Sequence, residues 1–181
     1  MLNKEIAREK LFEMVKNESL RRHCISVGMV MEAYAKKLGQ NTEQWAVTGI
    51  LHDADYEQYP EQHPDIIVEE LNQLGENEIA HAISAHYTKW GVPYNTLLDK
   101  ALLACDEMTG FVVAAALIRP TKIVGLTVKS VKKKFKNPKF AAGVERDEVL
   151  KGVELMGVDF NEHIQHIIDV LQQHQEELDL V

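Results

Sequence analysis

Cysteine is scarce in this chain of 181 residues, and so are long apolar runs. The two cysteines, Cys24 and Cys105, form no CxxC pair, which argues against a secreted disulfide framework and a thiolate zinc finger. The longest apolar stretch, residues 111–118, is far shorter than the roughly 20 residues that cross a bilayer. No apolar signal core follows Met1. These absences predict a soluble, cytoplasmic protein with no membrane partner.

Acidic residues are missing from one long stretch, residues 108–144, although the whole chain has 28 of them and a net charge of −8. The overall charge disfavours nucleic acid as a partner, whereas the stretch without acids offers a local basic surface that could attract phosphate groups. A solvated helix surface explains the same pattern, and both interpretations stay open. The basic residues of this stretch are Arg119, Lys122, Lys129, Lys132, Lys133, Lys134, Lys136 and Lys139.

Several common active-site loops are missing too. The chain has no GxxxxGK loop, no GxGxxG turn and no GxSxG elbow, which argues against P-loop motors, nicotinamide chemistry and serine esterases. Alternating strand-like runs are also missing, whereas apolar residues recur every three or four positions nearly everywhere. That periodicity predicts an all-α fold, and the length fits one domain over residues 1–181. The expected helices cover residues 3–16, 19–38, 42–54, 64–74, 76–87, 96–118 with a possible break near Gly110, 121–135, 145–156 and 159–178.

Polar side chains interrupt the apolar faces of these helices. His23 shares its face with Val27 and Met31, and Asp106 lies one turn beyond Leu102, so the imidazole and the carboxylate both point towards a core. A single histidine in such a position is more often a hydrogen-bonded core residue than a metal ligand. An unpaired buried carboxylate, however, would be very costly.

The dipeptide His52-Asp53 adds two more inward-facing polar groups at the end of another helix. No Lys or Arg shares these faces, so nothing on the same helices neutralises the carboxylates. A divalent metal held by His23, His52, Asp53 and Asp106 resolves the conflict. Two imidazoles and two carboxylates suit Fe, Mn, Co, Ni or Zn better than calcium, and they leave positions for water and substrate.

The order of these residues resembles a known family signature. His23, then His52-Asp53 within Gly-Ile-Leu-His-Asp, then Asp106 within Leu-Leu-Ala-Cys-Asp-Glu, is similar to the H…HD…D signature of the HD superfamily of metal-dependent phosphohydrolases. The resemblance extends over residues 20–119. It implies a multi-helix bundle with the metal site in its interior.

Two further histidines resemble the additional ligands of binuclear members of that superfamily. His63 lies within Glu-Gln-His-Pro and His86 within Ser-Ala-His-Tyr-Thr. The resemblance implies that both join Asp53 around a second metal ion. If only one ion binds, His63 and His86 could instead contact a substrate phosphate, so the number of ions stays open. His81 lies about 140° from His86 around the helix and is expected outside this cluster.

The resemblance implies hydrolysis of a phosphate ester or phosphoanhydride by metal-activated water. The substrate would be a small phosphorylated compound, and a nucleotide is one candidate. The residues assigned to catalysis are Asp53, His52 and His86, with Asp53 bridging two ions or orienting the water. Basic side chains would hold the other phosphate oxygens. By charge and position, the candidates are Arg22, Lys89, Arg119, Lys122 and Arg146.

Other polar and aromatic residues are given simpler roles. Asp55, Tyr56, Trp90 and Tyr94 follow the ligand segments and could line a pocket mouth, although a structural role in the loops is the simpler explanation. The C-terminal histidines His163, His166 and His174 are expected on a solvated helix face.

Two other functions stay open at this point. One is a di-iron oxygenase, because the HD superfamily includes such enzymes with a similar ligand set. The other is a non-catalytic module that binds a metal and a nucleotide. The sequence gives no indication of the oligomeric state.

Overall fold

The computed structural model describes residues 2–181, and all regular structure in that range is helical. This confirms the all-α fold class. The helices are α1 Lys4–Met14, α2 Glu18–Leu38, α3 Thr42–Leu51, α4 Asp65–Gln73, α5 Asn77–His86, α6 Leu97–Leu117, α7 Val128–Phe135, α8 Arg146–Met156 and α9 Phe160–Gln173, with a 3₁₀ turn at Thr88–Trp90. Two compact units divide the chain within α6, one up to Leu102 and one from Leu103 onward.

Asparagine side chains begin the first three helices. The side-chain oxygens of Asn3, Asn17 and Asn41 accept hydrogen bonds from the backbone N–H groups three residues later, at 2.9, 2.9 and 3.0 Å. Each bond satisfies an N–H group that the first turn of a helix leaves without an intrahelical partner. The starts of α1, α2 and α3 are therefore fixed by local chemistry.

In the first unit, α2 and α3 pack together at two glycines. A Cβ atom built on Gly49 would lie 2.6 Å from both the backbone N and the Cα of Gly28. No side chain fits in that space, so only glycine allows the two backbones to approach this closely. The close packing places the end of α3, where His52 lies, beside the part of α2 that carries His23.

In the second unit, Arg146 is enclosed by aromatic rings and backbone carbonyls. Its guanidinium lies 5.3 Å from the ring centroid of Phe111 and 5.5 Å from that of Phe135. Phe111 also packs edge-on against Phe140, with 5.3 Å between centroids. These contacts join α6, α7 and α8. The guanidinium donates to the carbonyl oxygens of Phe135, Asn137, Phe140, Ala141 and Val144.

Helices α8 and α9 both contact α6 at Ala104. A Cβ on Gly152 would lie 2.5 Å from the backbone N of Ala104, and His163 Nε2 donates to the Ala104 carbonyl oxygen at 2.7 Å. His163 is fully buried, so its predicted solvated position is wrong. Its place in the sequence could have revealed this, because Ile167 and Val170 follow at helical spacing and are buried as well.

The segment before α7 differs from the predicted helix over residues 121–135, because α7 begins only at Val128. Lys122 and Gly125 have φ values of 46° and 72°, which a right-handed helix does not contain. Arg119 Nη1 donates to the Lys122 carbonyl oxygen at 2.7 Å and stabilises this turn. Thr127 then begins α7 by accepting the Ser130 N–H at 3.2 Å.

Two other predicted boundaries also differ from the structure. Helix α6 runs through Gly110 without a break, and α9 ends at Gln173 instead of reaching residue 178. Asp179, in the turns after α9, has a φ of 54°. In residues 2–181, no helix has both the length and the apolar character that crossing a membrane requires.

Candidate metal centre

One carboxylate, that of Asp53, lies among four imidazoles in the first unit. His23 is on α2, His52 caps the end of α3, and Asp53 follows it in the next turn. His63 lies in the turn segment before α4, and His86 is the last residue of α5. Each imidazole directs its Nε2 atom towards Asp53. The fold therefore brings together the five predicted metal ligands that lie in this unit.

The two oxygens of Asp53 face different pairs of histidines. Oδ2 lies 3.6 Å from His23 Nε2 and 3.3 Å from His52 Nε2. Oδ1 lies 3.3 Å from His63 Nε2 and 3.5 Å from His86 Nε2. The ligand atoms of Asp53, His63 and His86 all lie within 4.8 Å of one another. A carboxylate in this position can bridge two cations, one on each side.

The spacing of the donor atoms fits a divalent metal ion. His23 Nε2 and His52 Nε2 are 3.2 Å apart. Because a metal–imidazole bond is about 2.1 Å long, two nitrogens bound to one ion at an angle of about 100° have this separation. Without a cation, a proton on one of the two nitrogens makes this pair a hydrogen bond, and a cation between them would take the place of that proton. Imidazole and carboxylate donors together suit Fe, Mn, Co, Ni or Zn.

Backbone carbonyls orient two of the imidazoles. His52 Nδ1 donates to the carbonyl oxygen of Gly49 at 2.7 Å, and His86 Nδ1 donates to that of Ile83. Because a carbonyl oxygen only accepts, the proton of each neutral ring is on Nδ1 and the lone pair is on Nε2. His52 is fully buried and His86 nearly so. Both rings are thus held in the tautomer that a metal ligand needs.

Asp55 orients a third imidazole. Its carboxylate accepts a hydrogen bond from His63 Nδ1 at 2.6 Å and another from the Ile67 backbone N–H at 3.0 Å. Its side chain is fully buried, so Asp55 has the structural role and does not line a pocket mouth. A carboxylate behind a metal-ligating histidine fixes the ring and raises its basicity. Sequence periodicity could not identify this pair, because the two residues are eight positions apart in a segment of turns.

The ionisation of Asp53 also suits a cation. Burial alone raises the pKa of Asp53, but the positive charge and hydrogen bonds of His52 and His86, when these imidazoles are protonated, outweigh burial and hold the pKa of this carboxyl well below its usual range. A metal ion bound by the neutral imidazoles would supply positive charge in their place. The side chain is still about 20% exposed, so it is open to solvent on one side. Asp53 is therefore a carboxylate across the physiological pH range and cannot serve as a proton reservoir near neutrality.

Asp106, the remaining predicted ligand, is on α6 and belongs to the second unit. It follows Leu102, the last residue of the first unit, by one turn of the same continuous helix, and it is half-buried. Burial, together with the charge of Asp106, raises the pKa of the neighbouring Cys105 thiol. Cys105 therefore stays protonated and is not a nucleophile.

Three of the cations that were predicted to hold substrate phosphates have partners inside the second unit. Arg119 bonds the Lys122 carbonyl oxygen, and Lys122 Nζ lies 3.1 Å from Asp179 Oδ1. Arg146 is enclosed by the carbonyl oxygens and aromatic rings described above. These contacts give each of the three cations a structural role within its own unit.

Aromatic side chains stand beside His63 in the first unit. The rings of Tyr56 and Tyr87 are edge-on to the His63 ring, with centroid distances of 5.4 and 5.6 Å. Trp90 packs against Tyr87 at 5.9 Å, and Lys89 Nζ lies 5.7 Å from the Tyr87 ring centroid. Tyr56 is 51% exposed and Trp90 41% exposed. Both side chains therefore have apolar surface available to a ligand near the imidazoles.

A cleft of about 410 Å³ reaches the metal-ligand cluster at His23. It is of the size that admits a small molecule. Arg22, beside His23 in the sequence, is half-buried. The cleft therefore gives a small molecule access to His23. It is lined by Asn17, Ser19, Leu20, His23, Tyr56 and Glu57.

His81 has a different partner from the clustered histidines. Its Nδ1 atom lies 3.1 Å from Asp99 Oδ2, and the same oxygen accepts the backbone N–H groups of Asn95 and Thr96 at 2.8 Å. Asp99 thus stabilises the start of α6, and His81 contributes to that structure. The expectation that His81 lies apart from the metal-ligand cluster agrees with these contacts.

Comparison with known proteins gave one match. Residues 20–110, half of the chain, match a family model described as HD domain. The matched segment includes all four residues of the H…HD…D signature and both additional histidines. No curated protein and no solved structure matches the chain.

Proposed function

The chain belongs to the HD-domain family of metal-dependent phosphohydrolases, and from this premise we propose that it hydrolyses a phosphate ester or phosphoanhydride. The substrate is a small phosphorylated compound, and a nucleotide is one candidate. The observation that supports the proposal most directly is the position of the Asp53 carboxylate, which has two imidazole nitrogens facing each oxygen. Such a centre suits water activation and phosphate binding at once.

A first ion would be held by His23, His52 and Asp53, with Asp106 completing the set. The assignment of Asp106 rests on its place in the family signature and on α6, which continues from Leu102 of the first unit to Asp106. A second ion would be held by Asp53 and the two additional histidines. So few protein ligands would leave room at each ion for water and substrate.

A bound divalent ion would act as a Lewis acid and lower the pKa of its water towards neutrality. The protein's own contribution is orientation. Asp53 stays ionised beside His52 and His86, so it serves as a bridging ligand and not as the base that takes the proton. His52 and His86, fixed through their Nδ1 atoms, keep their Nε2 lone pairs directed at the reaction centre.

The non-phosphate part of the substrate would lie along the aromatic side chains. Tyr56 and Trp90 have exposed rings close to the centre, and such rings stack on nucleobases. Arg22 and Lys89 are the proposed phosphate-binding cations of the first unit. Lys89 is in the 3₁₀ turn after α5, and its Nζ atom lies 5.7 Å from the Tyr87 ring centroid. Arg22 precedes His23 on α2. Both cations compensate phosphate charge.

The test is metal-dependent phosphate release from nucleotides, dinucleoside polyphosphates and sugar phosphates, with Mn, Fe, Co or Mg added. The variant is Asp53→Asn, which keeps the size of the side chain and removes its charge. The matched control is Asp65→Asn, an exposed aspartate in the first turn of α4. We expect turnover in the wild type and in Asp65→Asn, and a loss of at least about a hundredfold in Asp53→Asn.

Two other results would contradict hydrolysis. Turnover that requires oxygen and stops under anaerobic conditions would favour a di-iron oxygenase. A bridging carboxylate also suits the two iron ions of such an enzyme. Tight nucleotide binding without turnover in any of the three proteins would favour the non-catalytic module. Metal content, measured by elemental analysis of each protein, shows whether an inactive sample had lost its ions.

A further inference from the structure

Helix α7 carries a cluster of lysines on one face, which we call the lysine groove. Lys129, Lys132, Lys133 and Lys136 follow the spacing i, i+3, i+4, i+7, so they share one side of the helix. Val131, on another side, is fully buried in the second unit. The groove has a volume of about 500 Å³. It is lined by Val128, Lys129, Lys132, Lys133, Lys136 and Asn161.

In the described part of the chain, no carboxylate lines this groove or forms an ion pair with its lysines. None of its lining residues is acidic, and within residues 2–181 none of the four lysines takes part in an ion pair. Residues 108–144 hold eight of the 20 basic residues of the chain, whereas all 28 acidic residues lie outside this stretch. The lysine groove is therefore a concentrated positive region on an acidic protein.

Helix stability alone does not account for this cluster. Lysines near the C-terminus of a helix interact favourably with the helix dipole, but that end carries only about half a negative charge. Four lysines exceed this charge several times over, and like charges three and four residues apart repel each other. The repulsion destabilises α7 unless a negatively charged ligand relieves it.

We propose that the lysine groove binds an oligophosphate, that is, a chain of two to four phosphate groups. This row of phosphate groups is either a free oligophosphate or part of a nucleotide. Lysine ammonium groups are point charges that bind phosphate oxygens from many directions, and a groove of about 500 Å³ lies in the range of small-ligand sites. The exposed Asn161 adds an amide donor at its edge.

The charge of the rest of the protein favours a compact ligand over an extended one. At physiological salt, charges interact over a Debye length of about 8 Å. A duplex nucleic acid or an anionic membrane extends much further than that, so the net charge of −8 opposes its approach more than that of a small anion. An oligophosphate can be held within the groove. This site uses none of the proposed metal ligands and does not depend on the proposed hydrolysis.

Calorimetric titration of the full chain with inorganic tripolyphosphate, in EDTA and 150 mM salt, tests the proposal. The variant is the double substitution Lys132→Gln and Lys136→Gln. The control is Lys36→Gln with Lys37→Gln, two exposed lysines in the last turn of α2. We expect one site in the wild type and in the control, and about tenfold weaker binding in the groove variant, since each exposed charge contributes modestly.

A second double variant, Lys129→Gln with Lys133→Gln, should show a comparable loss, and circular dichroism should show that all variants fold. ATP that binds more tightly than tripolyphosphate identifies a nucleotide ligand, and equal binding identifies a free oligophosphate. The proposal is overturned if both groove variants bind as the wild type does, or if the wild type shows no binding. Tighter binding of a 20-base-pair DNA duplex or of phosphatidylserine vesicles also overturns it. Because EDTA excludes catalysis, failure of the hydrolysis assay leaves this result unaffected.

Discussion

At the scale of single residues, the Nδ1 partners of the histidines decide which nitrogen is offered to a metal. The Nδ1 atoms of His52 and His86 donate to backbone carbonyl oxygens, whereas that of His63 donates to a carboxylate. The carboxylate of Asp55 contributes negative charge as well as orientation, so it increases the basicity of the His63 ring more than a carbonyl would. The proposed ion site at the Oδ1 side of Asp53 therefore depends on the buried charge of Asp55.

Asp55→Asn should weaken one proposed metal site selectively. Asparagine has one acceptor oxygen where aspartate has two, so it cannot satisfy both His63 Nδ1–H and the Ile67 N–H. We expect the affinity for the second ion to fall by about 10–100-fold and the first ion to stay bound. Elemental analysis after dialysis measures this as a change from two ions to one. Unchanged stoichiometry and affinity would remove His63 from the proposed ligand set.

The buried His163 should make the stability of the protein depend on pH. Burial lowers the pKa of His163 from its ordinary 6.5 to about 4. Below pH 6.5 the unfolded chain binds a proton that the folded chain excludes, so stability is lost as the pH falls from 6.5 towards 4 and then levels off. At pH 5 the loss attributable to His163 is about 2 kcal/mol.

The variant His163→Gln isolates this effect, because glutamine can donate to the Ala104 carbonyl oxygen but does not titrate. We expect urea denaturation to show a smaller loss of stability between pH 7.5 and pH 5 in this variant than in the wild type, by about 2 kcal/mol. His163→Ala should be destabilised at both pH values, since it leaves a cavity and an unsatisfied carbonyl. Parallel pH profiles for wild type and His163→Gln would contradict the buried neutral imidazole.

Prediction from sequence succeeded for residues that interrupt a helical pattern. His23, His86 and the His52-Asp53 pair lie at or near helix positions where apolar neighbours recur, and the structure brings them together. His63 lies in turns, where no periodicity applies, so only the family resemblance suggested it. His163 was misjudged because its exposed neighbours are glutamate and glutamine, and they concealed the apolar stripe that it shares.

At the scale of helices, the contact between α2 and α3 determines how close His23 and His52 can be. Gly49→Ala would place a methyl group 2.6 Å from the Gly28 backbone, and backbone atoms cannot move aside as a flexible side chain can. We expect a loss of about 1–3 kcal/mol in the free energy of unfolding, the usual effect of overpacking. We also expect weaker metal binding, because the helices that carry the two imidazoles must separate.

Gly143→Ala is the matched control for this prediction. A Cβ at Gly143 has no atom within 4 Å, and Gly143 is not among the residues with positive φ. Chemical denaturation should therefore show a change of less than about 0.5 kcal/mol, with unaltered metal affinity. If Gly49→Ala behaved like this control, the close packing of α2 on α3 would not be what positions the two imidazoles.

Helix boundaries were predictable where caps and glycines occur, as at Gly39 and Gly157, which follow α2 and α8 with positive φ. The turns of segment 119–127 were not predictable, because the apolar residues there have a spacing compatible with a helix. Its turns depend on the positive φ of Lys122 and on the Arg119 hydrogen bond to the Lys122 carbonyl. A lysine in the left-handed region is stabilised by that contact, and sequence periodicity contains no information about it.

At the scale of the whole molecule, the residues of the family signature do not all belong to one unit. The boundary between the units falls inside the continuous helix α6, between Leu102 and Leu103, and Asp106 lies just beyond it. In the second unit, Gly152 and His163 both hold α6 at Ala104. If Asp106 is a metal ligand, as the family signature implies, metal binding should protect the part of α6 around it from exchange.

Hydrogen exchange with and without Mn²⁺ tests this expectation over the whole chain. A ligand present at about 100 times its dissociation constant stabilises the folded state by about 2.7 kcal/mol, which slows exchange through the affected openings about a hundredfold. We expect such slowing in α2, in the segment after α3, in α5 and in the part of α6 around Asp106. Helix α7, which carries no proposed metal ligand, should be unaffected and serves as an internal control.

The variant Asp106→Asn separates the contribution of α6 from that of the other helices. Its amide retains the size of the side chain but is a poor metal ligand, so Mn²⁺ should still slow exchange in α2 and α5 while the effect around residue 106 is lost. Slowing in α2 and α5 without any change in α6 of the wild type would mean that Asp106 is not a ligand. The metal centre would then consist only of His23, His52, Asp53, His63 and His86, and hydrolysis would have to proceed at ions held entirely by the first unit.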